Sequence, residues 1–172
     1  MFKAILIVLL FILCSLVGYF YGERFRKRHD NLKEVYKNLI ILQNEVVYNN
    51  TPLPEALGAI ARKAKEPIKD FMMEIAFTLA EGNEGNVHSA FDKSYDKHSE
   101  EFYLQNEDKS ILDDFFKALG ESGVYGQEKI FKLALENLKI NINEASELSK
   151  KNTKLYRYLG VCFGAMISIF LL

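Results

Sequence analysis

A chain of 172 residues with a formal charge of −1 lacks the basic excess that nucleic-acid binding demands. Its 49% hydrophobic residues are unevenly spread, and every acidic residue falls within residues 23–147. Two apolar ends therefore flank a charged middle of roughly 130 residues, a size suited to one compact domain.

The first element is the uncharged run AILIVLLFILCSLVGYFY, residues 4–21. As a helix it rises about 27 Å, close to the thickness of a bilayer core. Only Lys3 precedes it, whereas Arg24, Arg26, Lys27 and Arg28 follow. No small-x-small cleavage pattern is present, and bulky Leu13 before Cys14 makes a poor lipoprotein site. These features indicate a retained anchor over residues 1–22 rather than a removed signal peptide.

The charged middle, residues 23–154, shows helical spacing of apolar residues and no sustained alternation. A first soluble helix is predicted over 23–48, with the stripe Phe25, Leu32, Val35, Tyr36, Leu39, Leu42 and Val46. NNTPLPEAL breaks the chain and restarts it, with Thr51 read as N-cap and Pro52 at the first helical position. A short helix runs on to about residue 63, and Pro67 opens another that Gly82 ends. Residues 87–98 and 109–119 read as helices. The last helix opens near Gly126 or Gln127 and meets no proline before the end of the chain. Its stripe is Phe131, Leu135, Leu138, Ile142, Ala145 and Leu148. Unbroken, it is roughly 70 Å long. Two long helices then form a stem for four shorter ones, an all-α bundle between two anchors.

The second anchor, residues 155–172, is LYRYLGVCFGAMISIFLL. Its uncharged part is short, about 22 Å, but Arg157 can snorkel to the head groups and lend another turn. Lys150, Lys151, Lys154 and Arg157 lie on its inner side. Positive flanks mark the cytoplasmic side. Both sets of flanks belong to the middle domain, so the expected topology has both termini outside and the bundle in the cytoplasm. Small residues recur four apart at Cys14, Gly18 and Gly22, and at Gly160, Gly164 and Ser168. Gly18, Gly22, Gly160 and Gly164 are candidates for close helix packing within the membrane, within one chain or between chains. Cys14 and Cys162 fall inside the spans and read as small packing residues.

Residues 66–128 hold about 15 acidic and 5 basic side chains. This distal part repels lipid and nucleic acid and suits a basic protein surface, whereas the basic flanks suit anionic membrane lipids. LGESGVYGQEKI, residues 119–130, carries Gly120, Gly123 and Gly126 but no phosphate loop. Gln127 and Glu128 stand where Lys and Ser or Thr are needed, and Glu121 adds repulsion. His88, Asp92 and Asp96 share a helix face at metal-ligand spacing, but Lys93 and Lys97 surround them and no metal motif is present. The neighbours Asp113 and Asp114 point about 100° apart on a helix. No nucleophile stands at motif spacing from a base. The sequence therefore calls for no catalytic residue, metal or cofactor.

TPLPEALGAIA and LGESGVYGQEKI, set between an N-terminal anchor and a long last helix with a C-terminal anchor, resemble the stage III sporulation protein AB family of endospore formers. The two stretches are also similar to cytoplasmic domains of type II secretion and type IV pilus platforms. Those carry a p-L-x-e-A-L helix start, here residues 52–57, and a G-E-x-S-G turn, to which Gly120, Glu121, Ser122 and Gly123 correspond with the x position missing. The resemblance implies a six-helix bundle in a multi-pass membrane protein on the mother-cell side. It further implies a non-enzymatic platform of a channel between mother cell and forespore, with a secretion-type cytoplasmic ATPase and other channel membrane proteins as partners. Secretion platforms carry two bundles and three spans, so a chain with one bundle and two spans is expected to homo-oligomerise. A pilus or type II secretion platform, a simple tether and a small membrane-bound enzyme are the alternatives. Glu121, Gln127, Asp113 and Asp114 are the candidate partner contacts.

Overall fold

The computed structural model describes residues 2–82, 86–121 and 124–171. Among them are six α-helices and no strand: α1 (Phe2–Gln43), α2 (Leu53–Ala61), α3 (Ile68–Glu81), α4 (Val87–Phe102), α5 (Asn106–Glu121) and α6 (Val124–Leu171). The chain divides into two compact units. One joins Met1–His29 with Asn143–Leu172, and the other is Asp30–Ile142.

The unit Asp30–Ile142 is a helical bundle. From α1, Leu32, Val35, Leu39 and Leu42 are buried, a stripe at three- and four-residue steps that lines one helix face. α2 adds Leu57 and Ile60, and α6 adds Phe131, Ala134 and Leu138. Between them lies an aromatic cluster. Phe71 of α3 meets Phe102 edge-on at 5.0 Å, Phe91 and Phe116 stack at 4.8 Å, and Phe115 meets Phe131 at 5.0 Å. Such pairs add about 0.5–1.5 kcal/mol each to the burial of their rings.

The helix ends follow local chemistry. α1 closes in a π-helical turn, Asn44–Tyr48. Gly82 stops α3 at φ +66°, a left-handed conformation that costs a glycine little. Asn86 caps α4, its side chain accepting from Ser89 N at 2.7 Å. Four predicted boundaries shift. Pro52, not Thr51, is the N-cap of α2, because the Thr51 hydroxyl donates instead to Glu45 Oε2 at 3.0 Å. α4 continues past His98 to Phe102, whose ring is buried in the core. α5 starts at Asn106 rather than Lys109, because the Asp108 carboxylate accepts from Gln105 N at 2.9 Å and closes the first turn. α6 begins at Val124, so Gly126 sits in its first turn, where an N–H lacks an intrahelical acceptor in any case. Ser122 and Gly123, in the predicted turn before α6, lie outside the described residues.

The other unit is an antiparallel helix pair. Residues 5–29 of α1 lie along residues 143–171 of α6, and Gly18, Gly22, Gly160 and Gly164 are all buried. A Cβ on Gly18 would come within 2.8 Å of Gly160 Cα and 2.6 Å of Tyr156 O. One on Gly160 would meet Cys14 O and Gly18 Cα, both at 2.9 Å. Only glycine permits backbones to approach this closely.

Candidate functional site

In the helix pair, the apolar side chains face outward. Val17 is 66% exposed, Ile169 77% and Phe170 90%. Two helices are long and apolar enough to cross a membrane, and only 11% and 6% of their most apolar windows are buried. A core helix of a water-soluble protein buries such a face, so this surface calls for an apolar solvent.

Polar groups gather around Gly22 and Thr153, where the apolar runs end. Thr153 Oγ1 donates to Gly22 O at 3.1 Å. Glu23, almost fully buried, accepts from Arg26 on its own helix and from Arg157 Nη2 of α6 at 3.3 Å. The Arg157 guanidinium lies 4.5 Å from the centre of the Tyr19 ring, a cation–π contact. Phe25 stacks on Tyr156 at 5.6 Å. Sequence reading passed over Glu23. Its signal is that it is the first carboxylate after the apolar run and stands among four cations.

In the bundle, Asp113 and Asp114 fall on α5 with different roles. Asp114 is exposed, whereas Asp113 Oδ1 lies 2.9 Å from His88 Nε2 of α4. The other ring nitrogen, Nδ1, is 3.6 Å from Asp92 Oδ2. His88, Asp92 and Asp113 therefore form the one group of potential metal ligands among the described residues, and Asp96 is not part of it. The two carboxylates address opposite nitrogens of one imidazole. The Asp113 contact, made from the neighbouring helix, ties α4 to α5. Glu121 ends α5 exposed, and Gln127 lies half-buried in the first turn of α6. Gly120 holds the end of α5 against α4, since a Cβ there would stand 3.3 Å from Val87 Cβ.

Two further networks join sequence-distant groups. Asp108, fully buried, accepts from Asn141 Nδ2 at 2.8 Å as well as from the Gln105 amide, linking α5 to α6. Glu74 of α3 accepts from Lys97 Nζ at 3.0 Å and pairs with His98 Nε2 at 2.9 Å. Burial pushes the Glu74 carboxyl up, but the hydrogen bonds of Lys97 and His98 outweigh it and hold it below its ordinary 4.5.

An all-α protein is defined by these elements: a helical bundle with an acidic surface, carried by a chain with two outward-apolar, membrane-suited helices. The profile of the family Stage III sporulation protein AB (spore_III_AB) matches residues 3–172, and the chain belongs to that family. It is 24% identical over 172 residues to stage III sporulation protein AB of Bacillus subtilis (strain 168), with 100% of both chains covered. A solved structure of stage III sporulation protein AB (SpoIIIAB) superposes with a TM-score of 0.67 at 24% identity, over 72% of this chain and 96% of that one. That likeness shows the fold, and family membership supports a role in sporulation.

Proposed function

We propose that this protein is a non-enzymatic membrane platform of a secretion-like channel between mother cell and forespore. Its two apolar helices span the membrane with both termini outside, and its bundle lies in the cytoplasm and docks a secretion-type ATPase. Copies of the chain associate to present an extended base, and other membrane proteins of the channel complete it. The observation that carries this reading is the pairing, within a sporulation family, of two outward-apolar helices with a bundle whose surface is acidic. Residues 30–142 hold 20 Asp and Glu against 13 Lys and Arg. Such a surface steers a basic partner toward it and repels anionic lipid.

The exposed Asp114, Glu121 and Glu128, with half-buried Gln127 beside them in sequence, are the proposed ATPase contacts. Reversing the three charges to Lys should weaken capture of the ATPase by the full-length protein at least about tenfold, the order reached by removing complementary interface charges. Unchanged capture rejects the docking site. Deleting residues 155–172 separates platform from tether, because a tether keeps working on one anchor.

A further inference from the structure

The register of the helix pair brings two basic runs to one level. Gly22 lies against Thr153, Phe25 stacks on Tyr156, and Arg28 Nη1 stands 3.9 Å from Glu144 Oε1. Residues 24–28 and 150–157 are thus side by side in a band roughly 15 Å tall. Each helix gives it four Lys or Arg, and Glu23, Glu144 and Glu147 are the carboxylates of the helix-pair unit.

Seven of these eight cations, all but Lys27, divide into two sets. Arg26 and Arg157 converge on buried Glu23, and buried Arg28 lies near Glu144, so these three serve the helix pair itself. Arg24, Lys150, Lys151 and Lys154 are exposed, and Arg24 lies 5.8 Å over the Tyr21 ring. On each helix the apolar, outward-facing segment adjoins that helix's own basic run, with Phe20 65% and Tyr158 70% exposed. We propose that the band is a collar for anionic phospholipid headgroups. Arg24, Lys150, Lys151 and Lys154 are the headgroup ligands, and the Glu23–Arg26–Arg157 clasp holds the two helices in the register that makes two basic runs into one site. The inference rests on the membrane-spanning reading above. Headgroup phosphates then lie at the depth of the collar, and the apolar face below it excludes soluble anions from that side.

The test uses the full chain in detergent, titrated with phosphatidylglycerol or phosphatidylcholine, with bound lipids counted by native mass spectrometry. The unaltered protein should retain phosphatidylglycerol over phosphatidylcholine by about tenfold or more, falling steeply with added salt. The triple variant K150Q/K151Q/K154Q should lose most of that preference while the bundle melts at an unchanged temperature. No preference in the unaltered protein, or an undiminished one in the triple variant, overturns the collar. Displacement of the lipid by millimolar inorganic phosphate also overturns it, because a generic anion site would behave so. Alkaline carbonate extraction of cell membranes tests the underlying reading separately. Release of the chain defeats the spanning helices, whereas retention without lipid preference defeats the collar alone.

Discussion

In the bundle, Phe91 and Phe116 stack with 0% and 1% of their surface exposed, while in the helix pair Phe163 and Phe170 stand 54% and 90% exposed. What the helix pair buries instead is small or charged: Gly18, Gly22, Ala145, Gly160, Gly164, Glu23 and Arg28. The bundle gains from removing large apolar side chains from water. The helix pair has no such gain if hydrocarbon surrounds it, so contact must come from backbones brought close and from polar groups paired inward. The charge differs in the same way. The helix-pair unit has nine Lys and Arg against three Asp and Glu, and the bundle has 13 against 20. One chain thus carries two units that differ in what they bury and in the sign of their charge.

That contrast is open to attack by substitution. The largest effect is expected in the bundle. Phe71→Ala removes a ring that meets Phe91, Phe102 and Phe116, and should cost about 3–5 kcal/mol in denaturant unfolding. In the helix pair the opposite change is the damaging one. Gly160→Leu forces a side chain against Gly18 Cα and Cys14 O, an overpacking of about 1–3 kcal/mol. A built-in reporter is available, because a Cβ at Gly164 would lie 3.3 Å from Cys14 Cβ. In a Cys162→Ser background, Gly164→Cys should form an intrachain disulfide with Cys14 on mild oxidation, and adding Gly160→Leu should suppress it. A purely interchain disulfide would transfer the glycine contact from within one chain to between two.

Smaller effects are local to the bundle. Asn86→Ala deletes the acceptor for Ser89 N and should lower bundle stability by about 1 kcal/mol. Glu74 supplies a pH dependence. Its folded-state pKa is depressed, so its contribution is complete above the ordinary value of 4.5 and disappears as pH falls through the folded value. Partial exposure limits that contribution to under about 1 kcal/mol. Glu74→Gln should flatten the bundle's stability curve below pH 4.5, as followed by thermal melting, and an unchanged acid limb would remove Glu74 from the account.

The helices were legible because their signals are local. The stripe of Leu32, Val35, Leu39 and Leu42, the stop at Gly82 and the proline before α3 each act within a few residues. The misplaced starts of α2 and α5 show where local signals compete. Thr51 is a good N-cap by type, but Glu45, six residues back, takes its hydroxyl. Asp108 looks like one more surface acid until it is seen closing the first turn of α5 and receiving Asn141.

Composition and periodicity by themselves determined an all-α chain with two apolar helices and an acidic middle, because burial pattern, charge and chain-breaking residues are properties of short segments. Only the tertiary structure decided which distant groups meet. It gave His88 the carboxylate of Asp113 from the next helix in place of Asp96 from its own, and it set Glu23 against Arg157, 134 residues away. Those pairings depend on the register in which helices pack, which follows from how many side chains fit at once and is written in no single segment.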